Sequence, residues 1–382
     1  MYGDWNVMIK VGFIGSRGIP AIYGGFETFI EEVSIGLNNI EDYEVIVVSD
    51  AEQREKVNGL ESYNGIKLYY SRYKKAKNPI LFYFDSMMLA MKHSTLIYSC
   101  GTGAGYFAFL PALFGKKFIT NPDGIGWQRD KWSPIVKFFL KSLFYFTAKW
   151  SRHLVYDSHG IKDFFQNEFN RSKNGVVIEY GAYLNKFIDI ETDFTKIILN
   201  KYNINKEQYH LVVSRLEPEN NVDIIIDGYL KSDRALPLII VGNLKDTPYD
   251  NKLKKSQSDD VRFVGGIYDK DTLEIVRANA FTYLHGHSVG GTNPSLLEAM
   301  ASKNFCICHD NRFNREVVAN NGLFFKDYSE IDKHFTHVEN NISSIDYNLH
   351  KEGAYNRIKN YYNWENIVKK YNDYFKLISE KG

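Results

Sequence analysis

At 382 residues the chain has room for two ordinary domains with substantial cores. Its formal charge of +1, from 47 Lys/Arg against 46 Asp/Glu, gives no basis for wholesale nucleic-acid binding, and no nucleic-acid partner is expected. The three cysteines lack metal-ligand spacing and suit a reducing cytosol; residues 1–10 are too short and polar for a secretory signal, and no apolar run reaches the roughly 18 residues that span a bilayer, so a cytoplasmic protein is expected.

Val7 to Ile14 reads as an apolar strand. A glycine-rich loop, Gly15-Ser-Arg-Gly-Ile-Pro-Ala-Ile-Tyr-Gly-Gly25, follows, and then a helix with Phe26, Phe29, Ile30, Val33 and Leu37 at helical spacing. Strand, glycine loop and helix make an anion-friendly terminus; a plain connecting loop is the other reading. Val45 to Ser49 and Ile66 to Tyr70 read as further strands. Arg72, Lys74, Lys75 and Lys77 come without an acid among them, as a solvated loop or as a contact for an anionic acceptor or membrane surface. Thr95 to Cys100 runs into Gly101-Thr-Gly-Ala-Gly105, which imitates a dinucleotide fingerprint, but Tyr106 stands where G-x-G-x-x-G needs its third glycine. It is read as a tight turn. Thr120 to Trp132, TNPDGIGWQRDKW, sets polar and aromatic groups between apolar segments, and its Asp-Gly pair alone denotes a turn. In Ile135 to Trp150, Lys137, Lys141 and Lys149 form one stripe against a thick apolar face. This is either a helix lying on an anionic membrane surface or a core helix with a wet lysine stripe.

Val176 to Glu179 reads as the last strand of a first domain, and Ile190 to Tyr202 as a helical bridge to a second. His210 to Ser214 leads into Arg215-Leu-Glu-Pro-Glu-Asn-Asn221, and an arginine at the end of a buried strand points toward a ligand crevice. Leu238 to Gly242 and Val261 to Val264 are strands. Asp271 is assigned as the N-cap of a helix from Thr272 to Ala278, so Asp269-Lys-Asp271 is not read as a metal site; neither a metal nor a cofactor is expected.

The stretch Phe281 to Ala301, FTYLHGHSVGGTNPSLLEAMA, reads as strand, glycine turn and helix. Asn293 is a good N-cap and Pro294 suits the first helical position. Gly290 and Gly291 let a ligand approach the backbone, and free N–H groups at the positive helix end favour an anion, phosphate first. Glu298, four residues after Pro294, shares its helix face and could accept from ribose hydroxyls. Phosphate on the backbone and sugar on the carboxylate describe a nucleoside diphosphate; a solvated glutamate at an ordinary corner is the rival. His285 and His287 flank the turn, and His287 is the one assigned to the ligand. Asn314, Arg315 and Glu316 are expected to shape the same pocket, and Trp364 to Ile378 has the spacing of an amphipathic helix.

His285 to Ala301 resembles the donor-binding motif of retaining glycosyltransferases of family 4. HGHSVGGTNPSLLEAMA, GSRGIPAIYGGFETFIEE and RLEPENN are similar to a bacterial branch that includes rhamnosyltransferases of surface-polysaccharide synthesis. The resemblance implies an α/β chain of GT-B fold, two Rossmann-like doubly wound domains facing across a cleft. Residues 1–185 would form the acceptor side, with helix 364–382 packing back on it, and residues 186–363 would bind the donor. It implies retaining, metal-independent transfer of L-rhamnose from dTDP-L-rhamnose to a lipid-linked saccharide, by an enzyme that is cytoplasmic or peripheral on the inner membrane face. The donor roles fall on Arg215, Asn220, His287, Gly290, Gly291, Thr292, Asn293 and Glu298. Two depart from the family: Asn220 stands for a Lys and Gly290 for a Glu. Arg17, Tyr23, Gly24, Gly25, Glu27, Trp127 and Arg129 fall on the acceptor side. Asp123 stands where many family members place a His and is assigned as the base; Gly126 replaces an acid of the branch. The rivals are a UDP- or GDP-hexose transferase of the same fold, a nicotinamide oxidoreductase built on Gly101–Gly105, and a silent membrane-associated scaffold.

Overall fold

The computed structural model describes residues 8–22, 24–128, 132–170, 175–340 and 345–380, so the assignments to Tyr23 and Arg129 lie outside it. It divides into two compact units. One runs up to Tyr180 and takes in the segment from Trp364 on; the other is Gly181–Asn363.

The first unit is built on eight strands: β1 (Ile9–Ile14), β2 (Tyr43–Ser49), β3 (Ser62–Tyr63), β4 (Ile66–Tyr70), β5 (Leu96–Cys100), β6 (Lys117–Asn121), β7 (His153–Tyr156) and β8 (Gly175–Val177). Their order is β3-β4-β2-β1-β5-β6-β7-β8, with only β3 antiparallel to its neighbour. Parallel strands covered on both faces must be apolar throughout, and β5 is buried at every residue. The chain order reverses between β1 and β5, the place where open α/β sheets receive ligands beyond their strand ends. The helix Gly25–Asn38 buries Phe29, Ile30, Val33 and Leu37. The helix Trp364–Glu380 lies against it and buries Ile367, Tyr371 and Phe375. Their approach is close at Gly36, where a Cβ would stand 2.5 Å from Val368 Cγ2.

The second unit has six parallel strands: β9 (His210–Val213), β10 (Leu238–Val241), β11 (Val261–Gly265), β12 (Thr282–His285), β13 (Phe305–His309) and β14 (Gly322–Phe325), ordered β11-β10-β9-β12-β13-β14. Val212, Ile225, Ile240, Leu284, Ile307 and Phe335 belong to its core. Within that core His210 is fully buried, its Nε2 2.8 Å from Glu339 and its Nδ1 2.6 Å from the Thr282 hydroxyl. The switch in strand order falls between β9 and β12.

Two expectations are corrected. The helix Lys270–Ala278 is capped by Asp269, whose carboxylate accepts from Thr272 N–H, while Asp271 pairs with Lys186 at 2.8 Å. The run from Arg72 is not a bare solvated cluster: Arg72 holds Asp85, Lys74 holds Glu55, and Lys75 donates to the Gly15 carbonyl. At Gly101–Gly105, read as a tight turn, the chain winds into a 3-10 helix over Thr102–Phe107, and the glycines serve packing. A Cβ at Gly103 would meet the Tyr83 ring at 2.0 Å, and one at Gly105 the Leu143 carbonyl at 2.4 Å.

Candidate active site

Two adjacent strands of the second sheet, β9 and β12, end at the switch point and deliver two loops side by side. Residues 214–221 follow β9 and residues 286–293 follow β12. Ser288 N–H donates to the Glu219 carbonyl at 2.9 Å, and Asn221 Nδ2 to the Gly286 carbonyl at 2.7 Å. Gly286 must lack a side chain, because a Cβ there would stand 2.0 Å from the Asn220 carbonyl oxygen. A third segment, after β13, supports the same turn: Asn311 and Asn314 each donate an amide hydrogen to the His287 carbonyl at 3.0 Å. Asn314 is buried and also reaches the His309 carbonyl. Of the residues expected beside it, Arg315 pairs with Asp310.

The structure brings Arg215, Asn220, His287 and the Gly290–Asn293 turn to this one place, in chemically distinct roles. The Asn220 amide nitrogen donates to the Arg215 carbonyl at 2.6 Å, which turns its oxygen toward His287 Nδ1 at 2.7 Å. Nδ1 therefore carries the proton of that bond. His287 Nε2 lies on the opposite side of the ring, by Gly290: a Cβ there would be 3.2 Å from it. Asn220 thus braces the histidine from within the protein. The Arg215 side chain is exposed and makes no ion pair among the described residues.

Asn293 caps the helix Pro294–Ala301 as expected, accepting from Ser295 N–H at 3.0 Å. The expectation of free helical amides is corrected, however. Pro294 has none, and the Leu296 and Leu297 amides both bond to the Asn293 carbonyl. The amides left for an anion are those of the turn itself, at Gly290 and Gly291, which make no hydrogen bond among the described residues. Gly290 has φ +130°, a conformation closed to L side chains, so the turn is shaped around a glycine where the resemblance placed a glutamate. Thr292 is buried beside it.

Glu298 lies one turn into the helix. One of its oxygens is 2.6 Å from the Arg277 guanidinium, itself almost wholly buried, while the glutamate side chain is 45% exposed. Arg277 escaped the sequence reading because it belongs to a separate helix. Its only sequence signal is an arginine set in an apolar run, between Ile275-Val276 and Ala278. Behind the turn, burial and the neighbouring His287 and His309 hold the His285 imidazole well below its usual range.

In the first unit, the loop after β1 is closed by its own residues. Glu27 is buried and accepts from the Arg17 N–H at 2.8 Å; its other oxygen folds over Gly24, whose φ is +124°. Arg17, Gly24, Gly25 and Glu27 therefore form one knot at the switch of the first sheet. Asp123 sits at φ +59°, its N–H bonded to Asn121 Oδ1. Burial pushes the nearby Cys100 thiol up; Lys75 opposes this, and Glu27 and Asp123 add to it, so all three charges act on one point at the end of β5. Trp127 is turned into packing, its ring 4.6 Å from Phe144 and 5.2 Å from Phe164.

Residues 194–352 match the family model described as glycosyl transferases group 1, and residues 8–183 match a domain of unknown function, DUF1972. The chain is 26% identical to an uncharacterized glycosyltransferase, MJ1069, of Methanocaldococcus jannaschii, over 97% of this chain and 99% of that one. Among solved structures it is similar to Anabaena Alr3699/HepE in complex with UDP, at a TM-score of 0.77 and 13% identity, covering 96% of this chain and 100% of that one. The same Anabaena protein has been solved with UDP-glucose, at a TM-score of 0.76 and 14% identity, covering 96% and 99%. Sucrose-phosphate synthase of Thermosynechococcus elongatus is similar at a TM-score of 0.79 and 13% identity, covering 98% and 100%. The fold is that of the GT-B glycosyltransferases.

Proposed function

We propose that this chain, a glycosyltransferase of the group 1, GT-B type, moves L-rhamnose from dTDP-L-rhamnose to a lipid-linked saccharide. In this reading the anomeric configuration is retained, no metal is needed, and the work is done at the cytoplasmic face of a membrane. The observation that supports a nucleotide-sugar donor is the switch-point turn: two glycine amides with no bond among the described residues, an exposed arginine on the neighbouring loop, and a glutamate one helical turn further on. Gly290, Gly291 and Arg215 stabilise the charge that grows on the departing diphosphate. Glu298 accepts a hydrogen bond from the nucleoside sugar, and Asn220 holds His287 against the turn. The acceptor oxygen enters on the face from which the diphosphate leaves. Its bond to the anomeric carbon forms as the carbon–phosphate-oxygen bond breaks, and Asp123 takes its proton.

One observation favours a second reading, a UDP-hexose donor: the Anabaena relative is solved with UDP and UDP-glucose. A deoxyribose also offers Glu298 one hydroxyl fewer than a ribose does.

Purified protein, chelator, a lipid-linked oligosaccharide and each of dTDP-rhamnose, UDP-glucose and GDP-mannose decide between these. The reading expects transfer from dTDP-rhamnose with the donor's anomeric configuration, read from the one-bond carbon–proton coupling, and a kcat about a hundredfold lower in Asp123→Asn. Transfer from the UDP sugar alone establishes the second reading. An inverted product removes the retaining mechanism, and full activity in Asp123→Asn removes the base.

A further inference from the structure

One side of the first unit is apolar, aromatic and basic, and the residues assigned to chemistry above do not use it. The helix Pro134–Trp150 buries Phe144, Thr147 and Ala148. Its larger apolar side chains point outward instead: Ile135, Phe138 and Phe139 share one face by their three- and four-residue steps. The short helix Leu110–Leu113 exposes Leu113 and its C-cap residue Phe114. These five side chains are 55–71% exposed. The segment that leads into this short helix packs on the longer one: the Tyr106 hydroxyl bonds the Ser142 hydroxyl and the Phe109 ring lies 5.1 Å from Trp150. On the other flank Phe84, also exposed, meets Phe107 at 5.2 Å and adds the helix Pro79–His93.

Scattered exposed apolar residues need no explanation, but many large ones gathered on segments that pack together mark a partner. Charge identifies the kind of partner. Lys141 and Lys149 stand exposed on the helix Pro134–Trp150, which contains no acid. Asp85, the acid of the helix Pro79–His93, is neutralised by Arg72 at 2.8 Å. A second copy related by two-fold symmetry would bring lysine against lysine. An anionic bilayer supplies both complements at once, acyl chains for the rings and phosphates for the ammonium groups.

We propose that this face, built from the helices Pro79–His93, Leu110–Leu113 and Pro134–Trp150, seats the protein on an anionic lipid surface. Leu113, Phe114, Ile135, Phe138 and Phe139 enter the headgroup layer, and the lysines lie against lipid phosphate. Among the described residues no helix is long and apolar enough to cross a membrane, so the attachment is to one leaflet. The surface serves the lipid-linked acceptor of the proposed function and in that sense rests on it, but its test needs neither donor nor acceptor.

The experiment is flotation of the full chain with vesicles of phosphatidylcholine alone or mixed with phosphatidylglycerol. Binding is expected to the anionic vesicles only, falling as salt approaches about 1 M, where screening acts within roughly 3 Å. Lys141→Gln and Lys149→Gln are expected to weaken it about fivefold each. Leu113→Ser combined with Phe138→Ser is expected to abolish it; both positions are so exposed that the fold is kept, which an unchanged nucleotide-induced melting shift checks. Four results overturn the proposal: no binding to any vesicle, equal binding to neutral vesicles, serine variants that still bind, or a dimer in light scattering that Phe138→Ser converts to monomer. The last assigns the face to a second copy. A failed nucleotide shift in the wild type counts against the donor reading and leaves the vesicle result interpretable.

Discussion

Arg277 fixes the direction of Glu298. With the guanidinium 2.6 Å from one carboxylate oxygen, and the glutamate side chain still half-exposed, the pair orients an acceptor group more than it adds stability. Arg277→Met is therefore expected to weaken nucleoside diphosphate binding about tenfold, or roughly 1.4 kcal/mol, with kcat at saturation little changed. Titration calorimetry measures it, and an unaltered Kd would show that Glu298 does not depend on Arg277. A second prediction concerns pH. Burial holds His210 below its ordinary value against the opposing pull of Glu339. Burial also pushes the Glu339 carboxyl up, but the bonds from His210, Ala235 and Leu236 outweigh it and hold that group down. Both folded pKa values are depressed, so the stabilisation is whole above the unfolded values and is withdrawn as pH falls, starting near the unfolded histidine value of about 6.5. The Tm should drop between pH 7.5 and 5.5, and the drop should be shallower in His210→Gln; parallel curves would remove His210 as its source. At this scale the sequence is legible where chemistry is local. Asn293 and Pro294 announce their helix start. Asn220 does not announce its bond to His287, nor Glu298 its arginine, because each partner comes from another element and no spacing rule reaches it.

The elements follow from hydrophobic period and turn chemistry, and the strand expectations agree with the structure to within a residue or two. Where a pattern misleads or leaves two readings open, the cause is physical. Asp269 and Asp271 both stand at a helix start, and only the geometry of the approaching chain decides that Asp269 reaches Thr272 N–H. The glycines of Gly101–Gly105 look like a phosphate loop because close packing and ligand approach demand the same missing Cβ. The helix Pro134–Trp150 has an apolar face that period alone assigns equally to a core or to a lipid surface, and the exposure of Ile135, Phe138 and Phe139 is what the lipid proposal rests on. The helix Trp364–Glu380 offers the sharpest test of packing. Tyr371 is fully buried, its hydroxyl 2.9 Å from that of Tyr98 and its ring 5.4 Å from Phe29. Tyr371→Ala is expected to cost about 3–5 kcal/mol in denaturant unfolding. A loss below about 1 kcal/mol would mean that this helix is only loosely held by the first unit.

For the whole molecule, alternating strands and helices over a length suited to two domains already indicate doubly wound sheets, and both units have them. Each sheet also reverses its order once, and the loops singled out in the sequence by glycines or by Arg215 emerge at those reversals: Gly15–Gly25 after β1, and Arg215–Asn221 with Gly286–Asn293 after β9 and β12. Sequence makes that legible because glycine, asparagine and proline at strand ends report backbone demands. It does not make the nucleotide base legible, since no glycine or helix start distinguishes thymine from uracil. The central claim is that the second unit binds a nucleoside diphosphate at the Gly290 turn and Glu298. The direct measurement is the metal-free thermal shift with dTDP, UDP, GDP and NAD, on wild type and Glu298→Ala. A ligand at a hundred times its Kd should add about 2.7 kcal/mol. The account predicts that shift with a nucleoside diphosphate and its loss in Glu298→Ala; a shift with NAD alone, or one that survives Glu298→Ala intact, would contradict it.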